Sequence, residues 1–151
     1  MKVIAIGHQW WFEFQYPDLG ITTANELHVP VDKPVHFELR SADVIHSFWV
    51  PQIAGKVDMV PGHTNFLTFS ATSARPEPYL GQCAELCGFS HANMRFRVIA
   101  QSPDEYEAWL AGQREGPTVP LADAPSEFDT AEHDMPAVPG RIDVVERRAT
   151  P

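Results

Sequence analysis

The 151-residue chain carries only two cysteines, too few for a disulfide scaffold, so whatever they do must be local. It also lacks long apolar runs. The longest, such as Val3 to Ile6, span four residues, against the roughly 18 needed to cross a bilayer. Lys2 leads straight into strand-like sequence, so no signal peptide is expected at the start. The stretch is therefore expected to behave as a soluble object. Basic residues are scarce, with 11 Lys+Arg against 20 Asp+Glu, and a net charge of −9 argues against a nucleic-acid partner. What is present is enough for a core: a hydrophobic share of 44% excludes a wholly disordered chain and points to one domain plus some tail.

The acidity is unevenly placed. Residues 1–100 carry a net charge of −2 and residues 101–151 a net charge of −7, so the body is not a strongly acidic surface. Fourteen prolines disfavour long helices. One helix is expected over about residues 102–112. Ser102, Pro103 and Glu105 fit an N-cap, a proline at the first helical position and a capping-box acid, while Tyr106, Trp109 and Leu110 give a one-sided apolar stripe and Gly112 a stop. Upstream the pattern is short strands between Pro and Gly turns. In Val3 to Tyr16, the residues Trp10, Phe12, Phe14 and Tyr16 share one face; Val35, Phe37 and Leu39 alternate with polar residues; His46–Val50, Thr64–Phe69 and Met94–Ala100 are further strands. This spacing predicts an all-β sandwich or barrel. From residue 114 onward proline, alanine and acids alternate without a period, which reads as an irregular tail or linker over 114–151 following a domain over 1–113.

The chemistry concentrates in Gly81 to Met94, where Cys83, Cys87, His91 and Met94 fall at C-x3-C-x3-H-x2-M spacing. Taken singly, the cysteines could be a disulfide or buried thiols, Met94 core filler and His91 a surface histidine. Together they are four soft or borderline metal ligands within one loop. A thioether among them favours copper over zinc, whose structural sites are Cys/His tetrads. A single loop cannot enclose a metal from every side, and His46, opening the apolar run His46-Ser47-Phe48-Trp49-Val50, is the best outside ligand.

The pattern His46…Cys83-x3-Cys87-x3-His91-x2-Met94 resembles the copper-binding pattern of cytochrome c oxidase subunit II, in the domain that holds the CuA centre. Gly7-His8-Gln9-Trp10-Trp11-Phe12, Asp43-Val44-Ile45-His46-Ser47-Phe48 and Lys56-Val57-Asp58-Met59-Val60-Pro61-Gly62 are similar to the same family, over about residues 3–113. The resemblance implies a cupredoxin-like Greek-key β-barrel. It implies two copper ions bridged by Cys83 and Cys87, each terminated by one of His46 and His91. Met94 and the backbone carbonyl of Glu85 would be weak ligands, and the Glu85 carboxylate would face a magnesium ion only in the intact complex. Trp10 would be the aromatic through which electrons arrive from cytochrome c or a similar donor, with Asp43 in the donor-docking patch and oxidase subunit I as acceptor. The parent protein would be membrane-anchored on the extracytoplasmic (in bacteria periplasmic) face of the respiratory membrane. This chain would then be a soluble fragment of it, with Met1 an added start.

The chain departs from the family in places. Phe12 stands where a second Trp is common, His63 where an Arg is common, and Ala42 where an acid often precedes Asp43. No CxxCH occurs, so a fused cytochrome c heme is absent from this stretch. Three rival readings belong to other classes. The copper domain of a nitrous oxide reductase shares the spacing but needs a histidine-rich second domain that seven scattered histidines cannot supply. A mononuclear blue-copper carrier leaves the second cysteine unexplained. A copper-delivery or thiol-redox protein would favour exposed, reactive cysteines.

Overall fold

A computed structural model of the chain describes residues 1–114; the expected tail over 114–151 lies, beyond its first residue, outside the described residues. Ten strands form two five-stranded sheets, followed by one helix. The first sheet takes β1 (Lys2–His8), β2 (Trp11–Tyr16), β3 (Ile21–Ala24), β5 (Val35–Ser41) and β8 (Asn65–Phe69) in the order β3-β2-β1-β5-β8. The second takes β4 (Glu26–Pro30), β6 (His46–Trp49), β7 (Val57–Met59), β9 (Tyr79–Cys83) and β10 (Arg95–Gln101) in the order β4-β10-β9-β6-β7. Most neighbours are antiparallel, but β1 pairs with β5 and β10 with β4 in parallel.

Period-two alternation places the core. Val3 and Ala5 on β1, Phe12, Phe14 and Tyr16 on β2, and Val35, Phe37 and Leu39 on β5 are buried; they face Phe48, Phe96 and Val98 of the second sheet, also buried. The aromatic centre is tightly interlocked. Phe96 lies 4.7 Å from Phe12, 5.4 Å from Phe14 and 4.9 Å from Phe48 between ring centroids. Gly81 on β9 makes room for it, since a Cβ there would sit 2.2 Å from the Phe96 ring. Each such buried ring contributes about 1.5–3 kcal/mol.

The helix α1 spans Pro103–Arg114 and opens as the sequence suggests: the Glu105 carboxylate accepts from the Ser102 N–H and Oγ–H, both at 2.8 Å. It seats Tyr106 and Leu110 inward and stacks Trp109 on the His28 ring at 4.3 Å between centroids. Two expectations are corrected. Gly112 lies inside the helix, because the last turn continues to Arg114 without needing a left-handed residue. Trp10 does not share the β2 face with Phe12, Phe14 and Tyr16; it sits in the turn between β1 and β2.

Candidate metal centre

β9 runs into Cys83, and the segment 84–94 loops back to enter β10 beside it. The loop is tied at its root. Cys83 N–H donates to Met94 O at 3.0 Å, Ala84 N–H to Ser47 O at 3.0 Å, and one short 3-10 turn at His91–Asn93 brings Met94 N–H to His91 O at 3.1 Å. β6 pairs with β9 through Phe48 and Cys83, which carries His46 to the same end of the sheet. Three of the proposed ligand segments therefore hang from adjacent strands. Their side chains converge: the two sulfurs lie 3.7 Å apart, His46 Nδ1 is 3.8 Å from Cys83 Sγ, His91 Nδ1 is 3.5 Å from Cys87 Sγ, and Met94 Sδ is 3.7 Å from Cys87 Sγ. Cys83, Cys87, His46 and Met94 are buried and His91 is half-buried. Both thiols are free. Glu85 turns its carbonyl toward the site, accepting from Cys83 Sγ at 3.2 Å, while its carboxylate is on an exposed residue.

The electrostatics follow from this crowding. Burial opposes ionisation of Cys83, but His46, backbone hydrogen bonds at Glu85 and Ser47, and His91 outweigh it and bring the thiol below its ordinary range. Cys87 is pushed the other way, by burial first and then by the negative charge on Cys83. Two thiols this close lose their second proton only when a cation offsets the paired charge. His46 is completed from behind. Its Nε2–H donates to Asp43 Oδ1 at 2.7 Å, which leaves the Nδ1 lone pair facing Cys83. Although burial works against a charged imidazole, Cys83 and Asp43 raise the His46 pKa. Asp43 is itself held ionised: burial would raise its pKa, yet bonds from His46, from Val44 N–H at 2.6 Å and from Gln9 N–H at 2.7 Å lower it. Its carboxylate thus meets three donors while the residue stays exposed.

The Trp10 indole, 36% exposed, reaches the loop by donating from Nε1 to Cys87 O at 3.2 Å. Exposed apolar side chains flank the ligands: Val44 and Ile45 before His46, Leu86 and Phe89 around Cys87. Sequence reasoning missed two supports. Gly7 lies under the imidazole, where a Cβ would come within 2.7 Å of His46 Cδ2, and a lone glycine inside a strand pattern was its only signal. Gln9, singled out for no role, places its Nε2 2.8 Å from Cys87 O.

The donor set fits copper: two thiols, two imidazole nitrogens and a thioether are soft or borderline ligands, and among the described residues no carboxylate joins the cluster.

The family model for "Cytochrome C oxidase subunit II, periplasmic domain" matches residues 19–101. The chain is 48% identical over 119 residues to cytochrome c oxidase subunit 2 of Alkalihalophilus pseudofirmus, covering 77% of this chain and 34% of that protein. It is 46% identical over 104 residues to the Bacillus subtilis subunit 2, covering 66% and 29%. The chain thus spans about a third of the length of these curated relatives. Among solved structures, it superposes on the periplasmic domain of subunit II of cytochrome oxidase from Bradyrhizobium japonicum with a TM-score of 0.71 and 30% identity, covering 76% of this chain and 94% of that one. A second is subunit II of cytochrome c oxidase in a mixed disulfide intermediate with a thioredoxin-like protein, at TM-score 0.67 and 29% identity, covering 76% and 91%.

Proposed function

The chain belongs to the cytochrome c oxidase subunit II family, as its periplasmic, cupredoxin-like domain, and from that premise we propose that it relays single electrons from a small donor such as cytochrome c to the heme of oxidase subunit I. One observation carries the reading. Each of two unbridged, buried sulfurs 3.7 Å apart has its own imidazole Nδ1 beside it, His46 for Cys83 and His91 for Cys87. Those four side chains would hold two coppers. Met94 and the Glu85 carbonyl would be the weak outer ligands, and the Glu85 carboxylate would meet magnesium only in the intact complex. Copper held there would supply a one-electron couple.

The chain's own part is to hold geometry. Interior strands β6, β9 and β10 fix the ligand segments, Asp43 fixes the His46 tautomer, and burial of Cys83, Cys87, Met94 and His46 keeps water from these side chains, so that little rearranges when charge changes. Trp10 offers an exposed ring in hydrogen-bond contact with Cys87 as the point of electron uptake, and the apolar rim of Val44, Ile45, Leu86 and Phe89 suits protein contact. A membrane-anchored parent on the extracytoplasmic face, and a body over 1–113 followed by a linker over 114–151, complete the reading. Burial of both cysteines disfavours a role as an exposed thiol-redox protein. The thioredoxin-like partner of the relative instead suggests a reductant for the same pair before metal loading. Metal analysis with EPR tests the proposal: two coppers per chain and a seven-line mixed-valence pattern are expected. One copper, or zinc, in coloured protein would overturn it.

A further inference from the structure

The carbonyl of Cys87 receives two donors, Gln9 Nε2 at 2.8 Å and Trp10 Nε1 at 3.2 Å. A carbonyl oxygen has two lone pairs, so both are used. The carboxamide bond is the shorter of the two, and the indole is partly exposed to competing water. Gln9 is anchored at its other end as well, its N–H donating to Asp43 Oδ2 at 2.7 Å, while Asp43 Oδ1 accepts from His46 Nε2. One residue therefore ties the β1–β2 turn to both segments that carry ligands. The contact face is cut close. Gly88, at φ +117°, lies against the pair, and a Cβ there would stand 2.9 Å from Gln9 Nε2 and 3.3 Å from Trp10 Nε1 and Cζ2.

We propose that Gln9 is a positioning residue for electron uptake: its carboxamide clamps the β1–β2 turn onto the Cys87 carbonyl and so keeps the Trp10 indole bonded to the metal loop. The proposal rests on the reading of Trp10 as the point of uptake. Electronic coupling falls steeply with distance, and the N–H···O link is a direct route from the indole into Cys87. When the ferrous donor is oxidised by one electron and the copper site is reduced, Gln9 moves no proton and takes no charge. It sets how much of the time the ring is in contact. A surface glutamine that merely satisfies a carbonyl would affect stability alone.

A double-mutant cycle on the copper-loaded 151-residue chain separates these roles, with uptake from a reduced c-type cytochrome followed by stopped flow. Gln9→Leu is expected to slow uptake on the order of five-fold, the worth of one ordinary hydrogen bond, and Trp10→Phe at least as much. The double variant should be no slower than Trp10→Phe alone, because Gln9 acts only through the indole N–H. The copper absorption bands should be unchanged. In the metal-free chain, exchange of the Trp10 indole proton, read by NMR, should quicken by a similar factor in Gln9→Leu. Gln9→Glu, which keeps the shape but cannot donate, should behave like Gln9→Leu. Multiplicative losses in the double variant, wild-type uptake in both Gln9 variants, or unchanged indole exchange would overturn the clamp while leaving the uptake reading in place. A wild-type rate in Trp10→Phe would remove the uptake reading and the clamp with it.

Discussion

Replacing Gly7 by Ala adds one methyl group to β1 directly beneath a fully buried imidazole. The new Cβ would lie 2.7 Å from His46 Cδ2, 2.9 Å from Cγ and 3.1 Å from Cβ, whereas carbon atoms rest about 3.5–4.0 Å apart. The overlap is with the root of the ring, not with a flexible tip. The ring cannot retreat, because Asp43 holds Nε2 at 2.7 Å and Cys83 stands 3.8 Å from Nδ1. β1 cannot retreat freely either, since it is paired on both sides, with β2 and β5. Overpacking of this kind costs about 1–3 kcal/mol, offset by the roughly 0.5–1 kcal/mol that alanine gains over glycine inside a strand. The expected net is a loss of up to about 2 kcal/mol, a fall in Tm of several degrees at this chain length. Thermal and urea unfolding of the metal-free chain measures it, and the copper absorption bands should shift because His46 is displaced. Gly112→Ala is the control: nothing lies within 4 Å of its added Cβ, and it sits inside α1, so it should stabilise by about 1 kcal/mol. Unchanged stability and unchanged bands in Gly7→Ala would refute the claim that β1 buttresses the ligand.

Four further outcomes are expected. Cys83→Ser and Cys87→Ser should each abolish the mixed-valence EPR pattern, since one thiolate cannot bridge alone; a retained seven-line pattern in either variant would show the bridge assignment wrong. Met94→Leu should keep copper but raise the reduction potential, because losing a weak donor destabilises the more positive oxidised state; voltammetry giving the wild-type potential would reduce Met94 to packing. Burial holds the His28 imidazole below its ordinary value of 6.5, against the bond that Nδ1 makes to Gln101 Oε1, so the unfolded chain takes the proton first. Its contribution is present above that value and is lost as pH falls from it toward the lower folded one, so urea titrations below pH 6.5 should show a decline that His28→Phe, keeping an aromatic on Trp109, flattens. Truncation after Arg114 should leave the copper spectrum intact; loss of colour would place the following segment in the fold.

The convergence of Cys83, Cys87, His91 and Met94 was legible because they fall within twelve positions and are chemically rare in combination, and that of His46 because it opens an apolar strand of its own. The helix start was equally plain, since a capping box acts within four residues. The β1–β2 turn was not. Gln9-Trp10 carries no Gly, Pro, Asn or Asp, and its conformation is held from a distance by Asp43 and Cys87. Alternation of Trp10 with Phe12 and Phe14 therefore reads as one face although the ring lies outside the strand. The strands β3, β4, β7 and β9 escaped notice for another reason: they have three to five residues each, too few for an alternation to stand out, and β4 pairs with β10 some 70 positions away. Asp43 illustrates the same limit. The family resemblance assigns it to a docking patch, whereas its three donors, among them the His46 ring, are visible only in three dimensions.

The parallel pairing of β10 with β4 has a kinetic consequence. β9, which bears Cys83, lies between β6 and β10, so the sheet that gathers these side chains is complete only once residues 95–101 have docked. Contacts that span some 70 positions close slowly, because the connecting loops must lose their freedom before any pairing rewards them. During that interval both thiols are open to solvent and to oxidants that the finished loop excludes. Whatever loads or guards the cysteines is thus in a race against the arrival of the last strand.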